Sequence, residues 1–364
     1  MKVLTVGGAM IDTIAVIDSD RIERMSMLNA DSSFLLLEEG RKIEAQDSST
    51  HTGGGGVNAA VALARLGLDV AAMSKRGRDA RAETILAGLM QEGISTRFAF
   101  RDSRAPTGGS VIVSSHDRNA AVFTFRGANT LLEMDDLRDD AFAVDLVYVA
   151  NLSNKSADCF PTIVKKAKER GALVATNPAV RQLSARGGAF FDTLPLIDIL
   201  SINQAEADVL VPTLVARADE GGPTLALEPG EEPPVLAVRG LTSGGFAMTL
   251  VSFFAALSAL GPKHVLLTDG ARGSFLNRES EILYCPALPT KVASTAGAGD
   301  AFSATFAAFT ALGRSPEEAL RAGTINAASV CNHVDTQTGL LSCEVIDTRL
   351  KAEGDKLPVR RWTV

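Results

Sequence analysis

The sequence predicts an α/β fold: a central, mostly parallel β-sheet flanked by helices, with a small β-sheet lid over its open edge. Three observations carry this. Short β-branched runs recur along the 364 residues, most of them continuously apolar, as strands buried on both faces of a parallel sheet are. Helical patterns separate them, the alternation that builds a doubly wound domain. Two stretches, about 14–48 and 97–127, break the rhythm and read as strand–turn–strand, the excursions from which a lid could be made.

The strand-like runs are VLTVGG (3–8), DVAAM (69–73), DLVYVAN (145–151), ALVATN (172–177), IDILSIN (197–203) and HVLLTDG (264–270). The first belongs to MKVLTVGGAMID, whose single lysine and short apolar run fit a first strand and not a secretory leader. NAAVALARLG (58–67), AETILAGLMQEG (82–93) and PTIVKKAKERG (161–171) read as helices, each ending on a glycine where a left-handed cap is wanted. In the second excursion Val111, Val113, Val122 and Thr124 alternate with other residues, which predicts a sheet with one wet face. Residues 212–246 hold five prolines and four glutamates and read as a surface insertion in an otherwise single domain spanning 1–364.

Composition narrows the function classes. Hydrophobic residues make up 46% and charged residues 22%, a globular balance. A net charge of −7 with scattered basic residues argues against nucleic acid or a membrane surface as partner. The apolar stretch Met248 to Leu260 is too short to cross a bilayer. Cys159, Cys285, Cys331 and Cys343 lie far apart, and the four histidines pair with none of them at metal-ligand spacing, so reduced thiols in a cytoplasmic protein are expected.

Five short motifs carry chemistry. In STAGAGDAF, Gly297 and Gly299 allow close backbone approach just before the apolar-periodic Phe302, Phe306 and Phe309. Amides around Ala298, Gly299 and Asp300 would then face outward at a helix N-terminus, a seat for an anion. A plain glycine turn with Asp300 as N-cap fits these residues equally well. THTGGGGVNAAVALARLG places Gly53 to Gly56 and Asn58 at another helix entrance. It admits either ligand approach or tight helix-on-sheet packing. It is no Walker loop, since the lysine and hydroxyl are missing.

SINQAEADVL sets Asn203 and Glu206 at a strand's end, at the spacing of a capping box. LLTDGARGSF gives Thr268, Gly270 and Gly273 in a turn between strands, and Asp12 follows the first strand at the edge where α/β folds bind ligands. The chain reads GGAMID after that strand, not G-x-G-x-x-G, which excludes a dinucleotide-binding oxidoreductase of the usual pattern.

Taken together and in order, these segments resemble the ribokinase-like (PfkB) family of carbohydrate and nucleoside kinases over nearly the whole chain apart from 212–246. GGGGVNAAVALARLG is similar to the family's N-terminal signature and STAGAGDAF to its C-terminal one; SINQAEA and TDGARGS resemble its N-x-x-E segment and nucleotide-side turn. The resemblance implies a ribokinase-like fold and transfer of the γ-phosphate of ATP to a small acceptor's hydroxyl. Asp300 would be the base, and the amides of Gly297, Ala298 and Gly299 the anion hole. Asn203 and Glu206 would organise Mg²⁺, while Thr268, Gly270 and Gly273 would lie along the nucleotide, with Asn326 beside the adenine. Asp12 and Asn58 would bind sugar hydroxyls, approached by the backbone of Gly54 and Gly55. A helix N-terminus should lower the pKa of Asp300, leaving a base that acts through position.

Departures from the family's pattern bear on the acceptor, which could be a sugar, a sugar phosphate or a nucleoside. Gly55 stands where ribokinase itself usually has lysine. Arg104 and Arg126 are the cations available for a phosphate, and Phe98, Phe100, Phe123 and Phe125 the aromatics available for a nucleobase. Ser294 replaces an aspartate that helps hold a monovalent cation, so K⁺ binding should be weak or lost. Lids of this kind often pair in a homodimer. A member without activity, acting only by binding, is the alternative from another class, and retention of Asp300 argues against it.

Overall fold

The computed structural model describes residues 1–17, 23–26, 33–36, 40, 42–115, 120–217, 221–226 and 232–364. The first half runs β1 (Lys2–Val6), β2 (Met10–Ile17), β3 (Glu23–Ser26), β4 (Ser33–Leu36), β5 (Ala45–Gly53), α1 (Gly55–Arg65), β6 (Asp69–Arg76), α2 (Ala80–Gln91), β7 (Ala99–Arg101), β8 (Gly108–Ser115), β9 (Ala120–Phe125), β10 (Leu146–Val149), α3 (Phe160–Glu169), β11 (Leu173–Thr176) and α4 (Val180–Thr193). There follow β12 (Ile199–Asn203), α5 (Gln204–Val215), α6 (Val235–Arg239), β13 (Leu241–Ser243), β14 (Phe246–Met248), α7 (Leu250–Ser258), β15 (His264–Thr268), β16 (Ser274–Arg278), β17 (Glu281–Cys285), α8 (Ala298–Ala311), α9 (Pro316–Cys331), α10 (Cys343–Glu353) and β18 (Arg360–Thr363).

Ten strands form the main sheet in the order β18-β17-β16-β15-β12-β11-β10-β1-β6-β7. From β15 to β7 every pairing is parallel, while β16, β17 and β18 extend the sheet antiparallel. The apolar runs are buried on both faces, as expected: all four residues of β10 are buried. The pleat sorts neighbours into two layers. Leu4 and Val6 join Ile163, Leu183, Leu210 and Phe253 on one side, and Val3 joins Val57, Phe306 and Leu320 on the other. Phe306 and Phe309 are fully buried, each worth about 1.5–3 kcal/mol, and they fix α8 against the sheet. Gly67, Gly93 and Gly171 take positive φ after α1, α2 and α3, as the sequence predicts.

A separate sheet, β5-β2-β8-β9, forms the lid. Its limits differ from the expected ones. β2 starts at Met10 and β5 reaches Gly53, so the first excursion is wider than 14–48, and part of it lies outside the described residues. In the second, β7 pairs with β6 in the main sheet, and only β8 and β9 belong to the lid. Phe98 is therefore buried in the main core with Phe100 packed against it. The expected wet face is also corrected. Val111 pairs with Phe123 and Gly109 with Phe125, so these side chains share the outer face, where Val111, Phe123 and Phe125 are exposed.

The stretch 212–246 is less of a surface insertion than its composition suggests. α5 continues through Pro212 to Val215, and Leu225, Leu236, Ala237 and Leu241 are buried in the main core. Residues 218–220 and 227–231 fall outside the described part. Met248 to Leu260 is largely α7, whose Phe253 and Phe254 are fully buried, and no described helix is long and apolar enough to cross a membrane.

Candidate active site

A cleft of about 330 Å³ opens between the carboxyl ends of β1 and β10, the lid and the mouths of α1 and α8. Parallel sheets present ligand sites at this edge. Its lining includes Asp12, Gly54, Gly55, Asn58 and Asp300, five residues drawn from distant parts of the sequence.

α8 begins at Ala298 because Gly297 caps it in the left-handed region, φ 77°. A methyl at Gly297 would lie 2.7 Å from Thr336 Cβ, so the cap needs glycine twice over. Asp300 is therefore in the first turn and is not the N-cap. The first intrahelical bond runs from Ala301 N–H to Gly297 O at 2.9 Å, which leaves the amides of Gly299 and Asp300 without intrahelical acceptors. Gly299 is exposed, with no atom within 4 Å of where a Cβ would stand. Ala298 N–H leans back toward Thr295 O at 3.4 Å.

The carboxylate of Asp300 accepts a hydrogen bond from Asn58 Nδ2 at 2.9 Å. Asn58 Oδ1 in turn accepts from Thr336 Oγ1 at 2.8 Å and from Gln337 Nε2 at 3.2 Å, which fixes the amide so that its N–H₂ faces Asp300. The expectation that a helix N-terminus would lower the pKa of Asp300 is corrected. Burial raises it, the bond from Asn58 opposes that rise, and the nearby charge of Asp12 adds to it. Asp12 lies within β2 and not at the end of β1. It accepts from Ser110 Oγ at 2.5 Å, and burial raises its pKa as well.

The four glycines at the mouth of α1 divide their work. Methyls at Gly54 and Gly56 would strike the backbone of Gly8 and Gly7 at 2.6 and 2.7 Å, and one at Gly53 would lie 2.0 Å from Asp12 Oδ2. These three serve close packing. A methyl at Gly55 would instead enter the cleft, 3.3 Å from Asp300 Oδ1 and 3.5 Å from Asn151 Oδ1.

Asn203 and Glu206 form the capping box: Asn203 Oδ1 accepts from Glu206 N–H, and Glu206 Oε2 from Asn203 N–H, both at 2.9 Å. Glu206 is also a buried carboxylate. Burial pushes its carboxyl up to about 7, with the charge of Asp300 contributing. A buried carboxylate held off its ordinary value next to a second one fits a cation, and its other oxygen is not used by the box. Among the described residues no cluster of three His, Cys, Asp or Glu side chains could hold a metal by itself, so an ion here would depend on phosphate and water oxygens as well. Thr268 ends β15 directly opposite Asn203. Gly270 and Gly273 have φ 56° and 115°, and a methyl on Gly273 would meet Cys285 O at 2.4 Å, so turn geometry accounts for that glycine.

Asn326 does not stand at a wall. It is fully buried, donating to Thr305 Oγ1 at 2.7 Å and accepting from Leu341 N–H at 3.0 Å, and both ends of its amide tie α9 to its neighbours. Arg104 is bound to Asp102 and Glu133 away from the cleft, whereas Arg126 lines it. None of Phe98, Phe100, Phe123 and Phe125 lines it. Ser294 Oγ accepts from Ala296 N–H at 3.1 Å, holding the turn that leads to Gly297. All four cysteines are free.

Sequence reasoning missed Ser110, Asn129, Asn151, Ser153, Thr336 and Gln337. Most are lone polar residues in loops or a lid strand, without periodicity to mark them. The DTQTG stretch did carry a signal, since Asp335 accepts from the N–H groups of Gln337 and Thr338 in a side-chain turn that presents Thr336 and Gln337 to Asn58.

Comparison with known proteins gives the family and the fold. The ribokinase of Haemophilus influenzae is 27% identical over 290 residues, 79% of this chain and 84% of its own length. A bifunctional ribokinase/ribose-5-phosphate isomerase A of Fructilactobacillus sanfranciscensis is 26% identical over 262 residues, 71% of this chain but 42% of its own length. The Arabidopsis thaliana ribokinase solved with ribose and ATP superposes with a TM-score of 0.69 at 22% identity, covering 96% of this chain and 98% of that one, so the fold is ribokinase-like. The model of the pfkB family carbohydrate kinases matches residues 11–222 and 249–343, interrupted where α6, β13 and β14 are inserted, and on that match the chain belongs to the pfkB family of carbohydrate kinases.

Proposed function

We propose that this family member transfers the γ-phosphate of ATP to a hydroxyl of a small sugar or related polyol, with Asp300 as the base. The observation that carries the reading is the position of Asp300: its carboxylate lies in the cleft, oriented by Asn58 and raised toward basicity by burial, in the same first turn as the open amides at the mouth of α8. The acceptor oxygen attacks the γ-phosphorus as the bond to the bridging oxygen of ADP breaks, and the hydroxyl proton passes to Asp300. Of the expected anion hole Gly297 to Gly299, Ala298 N–H leans toward Thr295 O, so the amides of Gly297, Gly299 and Asp300 chiefly face the developing phosphoryl charge, and Gly299 leaves room for it. Asp12, pinned by Ser110, and the backbone of Gly54 and Gly55 receive the sugar, while Asn58 chiefly holds the base. Thr268 and the turn from Gly270 to Gly273 lie along the nucleotide. Glu206, with Asn203 fixing it, orients Mg²⁺ and its waters; the ion supplies charge neutralisation for the phosphates.

The absence of those four phenylalanines from the described lining favours a sugar over a nucleoside. Ser294 offers a neutral oxygen already engaged with Ala296 N–H, which fits a weak or missing K⁺ site. The exposed apolar row Val111, Phe123 and Phe125 on the lid's outer face fits pairing with a second copy, to be checked by sedimentation of the wild type against Phe123→Ser. The test of the activity is phosphoryl transfer from Mg-ATP over sugars, sugar phosphates and nucleosides. Transfer to a sugar-type acceptor well above hydrolysis is expected; if no acceptor outpaces water, the reading fails.

A further inference from the structure

Arg126 follows β9 directly and lines the cleft; among the described lining residues it alone is cationic. It is half-buried, and its guanidinium has no hydrogen-bond or ion-pair partner among the described residues. By contrast, Arg104 is neutralised by Asp102 and Glu133, Arg101 by Glu83 and Arg138 by Asp140. A second guanidinium, that of Arg181, acts on it electrostatically without lining the cleft. Arg181 is in the first turn of α4, and the adjacent Gln182 accepts from Leu152 N–H at 3.0 Å, which fastens that turn to the loop whose Asn151 and Ser153 also line the cleft. Arg181 is exposed and likewise unpaired, and its charge together with burial disfavours the charged form of Arg126.

Two neighbouring cations, one partly stripped of water and neither answered by a carboxylate, form an arrangement the protein alone leaves unbalanced. The same cleft carries the opposite charge in Asp12 and Asp300. A neutral sugar would satisfy the carboxylates and leave Arg126 facing nothing. Resting on the kinase reading above, we propose that the preferred acceptor bears an anionic group, carboxylate or phosphate, which Arg126 binds with help from Arg181 while the hydroxyl to be phosphorylated lies at Asp300. A guanidinium presents paired donors to either oxyanion, so it fixes direction as well as charge.

The test compares kcat/KM with Mg-ATP for five- and six-carbon sugars, their aldonates and 2-ketoaldonates, and their monophosphates. The best anionic acceptor should exceed its neutral counterpart at least tenfold, and comparing acids with phosphates identifies which oxyanion is meant. Arg126→Gln should raise KM for that acceptor at least tenfold and collapse the anionic-to-neutral ratio, Arg126→Lys should recover part of it, and Arg181→Gln should act in the same direction but less. Preference for neutral sugars, or an Arg126→Gln effect equal on neutral and anionic acceptors, overturns the anionic site and leaves the kinase reading standing. Absence of transfer to every acceptor overturns both.

Discussion

The two glycine-rich helix entrances look alike in sequence and differ in what their glycines face. Before α1, three of four glycines are required by the protein's own atoms: the backbone of Gly7 and Gly8 and the carboxylate of Asp12 leave no space for a Cβ. Before α8, Gly297 is required by its left-handed backbone and by Thr336, but Gly299 faces open space. A glycine with nothing against it, in the first turn of a helix, leaves free amides approachable. Packing explains most of the first run, whereas Gly299 faces open space and Gly55 the cleft. The two entrances meet where Asn58 of α1 donates to Asp300 of α8.

The same substitution should therefore have opposite consequences at the two ends. Gly56→Ala drives a methyl against Gly7 backbone at 2.7 Å, and overpacking of that kind costs about 1–3 kcal/mol, so thermal unfolding should show a marked drop in Tm. Gly299→Ala meets nothing and gains helix propensity of up to about 1 kcal/mol, so Tm should hold or rise. Its methyl would nevertheless crowd the phosphate, and kcat/KM should fall about tenfold or more if the amide seat is worth the usual range for such donors. Loss of stability at Gly299, or loss of activity alone at Gly56, would break the contrast.

Glu206 sharpens it from the nucleotide side. Its carboxyl lies at about 7 in the folded protein against an ordinary value of 4.5. The folded chain then binds this proton more tightly than the unfolded one, so the group's destabilising effect is fully present above pH 7 and fades as pH falls toward 4.5. Glu206→Gln keeps an acceptor for Asn203 N–H and should stabilise the protein by on the order of 2–3 kcal/mol at pH 8, with no gain below pH 4.5 in denaturant titrations. It should also weaken Mg²⁺ dependence, the sign of a site that gives up stability for function. The smallest effect concerns the turn before α8: with Ser294 Oγ occupied by Ala296 N–H, K⁺ in place of Na⁺ at fixed ionic strength should change the rate less than about twofold, which is within half a kcal/mol.

How much of this was legible in the sequence depended on whether a feature is local. Apolar runs and glycine caps predict the main sheet and its helices because strand burial and helix termination are short-range properties. The mouth of α8 was readable for the same reason, although only the structure shows Gly297 and not Asp300 as the cap. N-x-x-E supported two readings, and the structure contains the capping box, with Glu206 in addition a buried carboxylate. Asn326 was misplaced because a side chain's facing toward core or cleft is decided by packing between α8 and α9. Phe98 and Phe100 were assigned to the lid because a three-residue strand, β7, leaves no periodic trace. Arg126 and Arg104 were indistinguishable until the folded chain supplied partners to one and none to the other.

The central claim is that Asp300 serves as the base while being a burden to the fold. Asp300→Asn tests it most directly, by measuring phosphoryl transfer and thermal stability on the same sample at pH 7.5. The variant should lose transfer by about 10²–10⁴-fold, with Tm equal to or above the wild type because a raised carboxyl pKa means its charged form is disfavoured in the folded cleft. Transfer within tenfold of wild type in a stably folded Asp300→Asn protein would contradict the account.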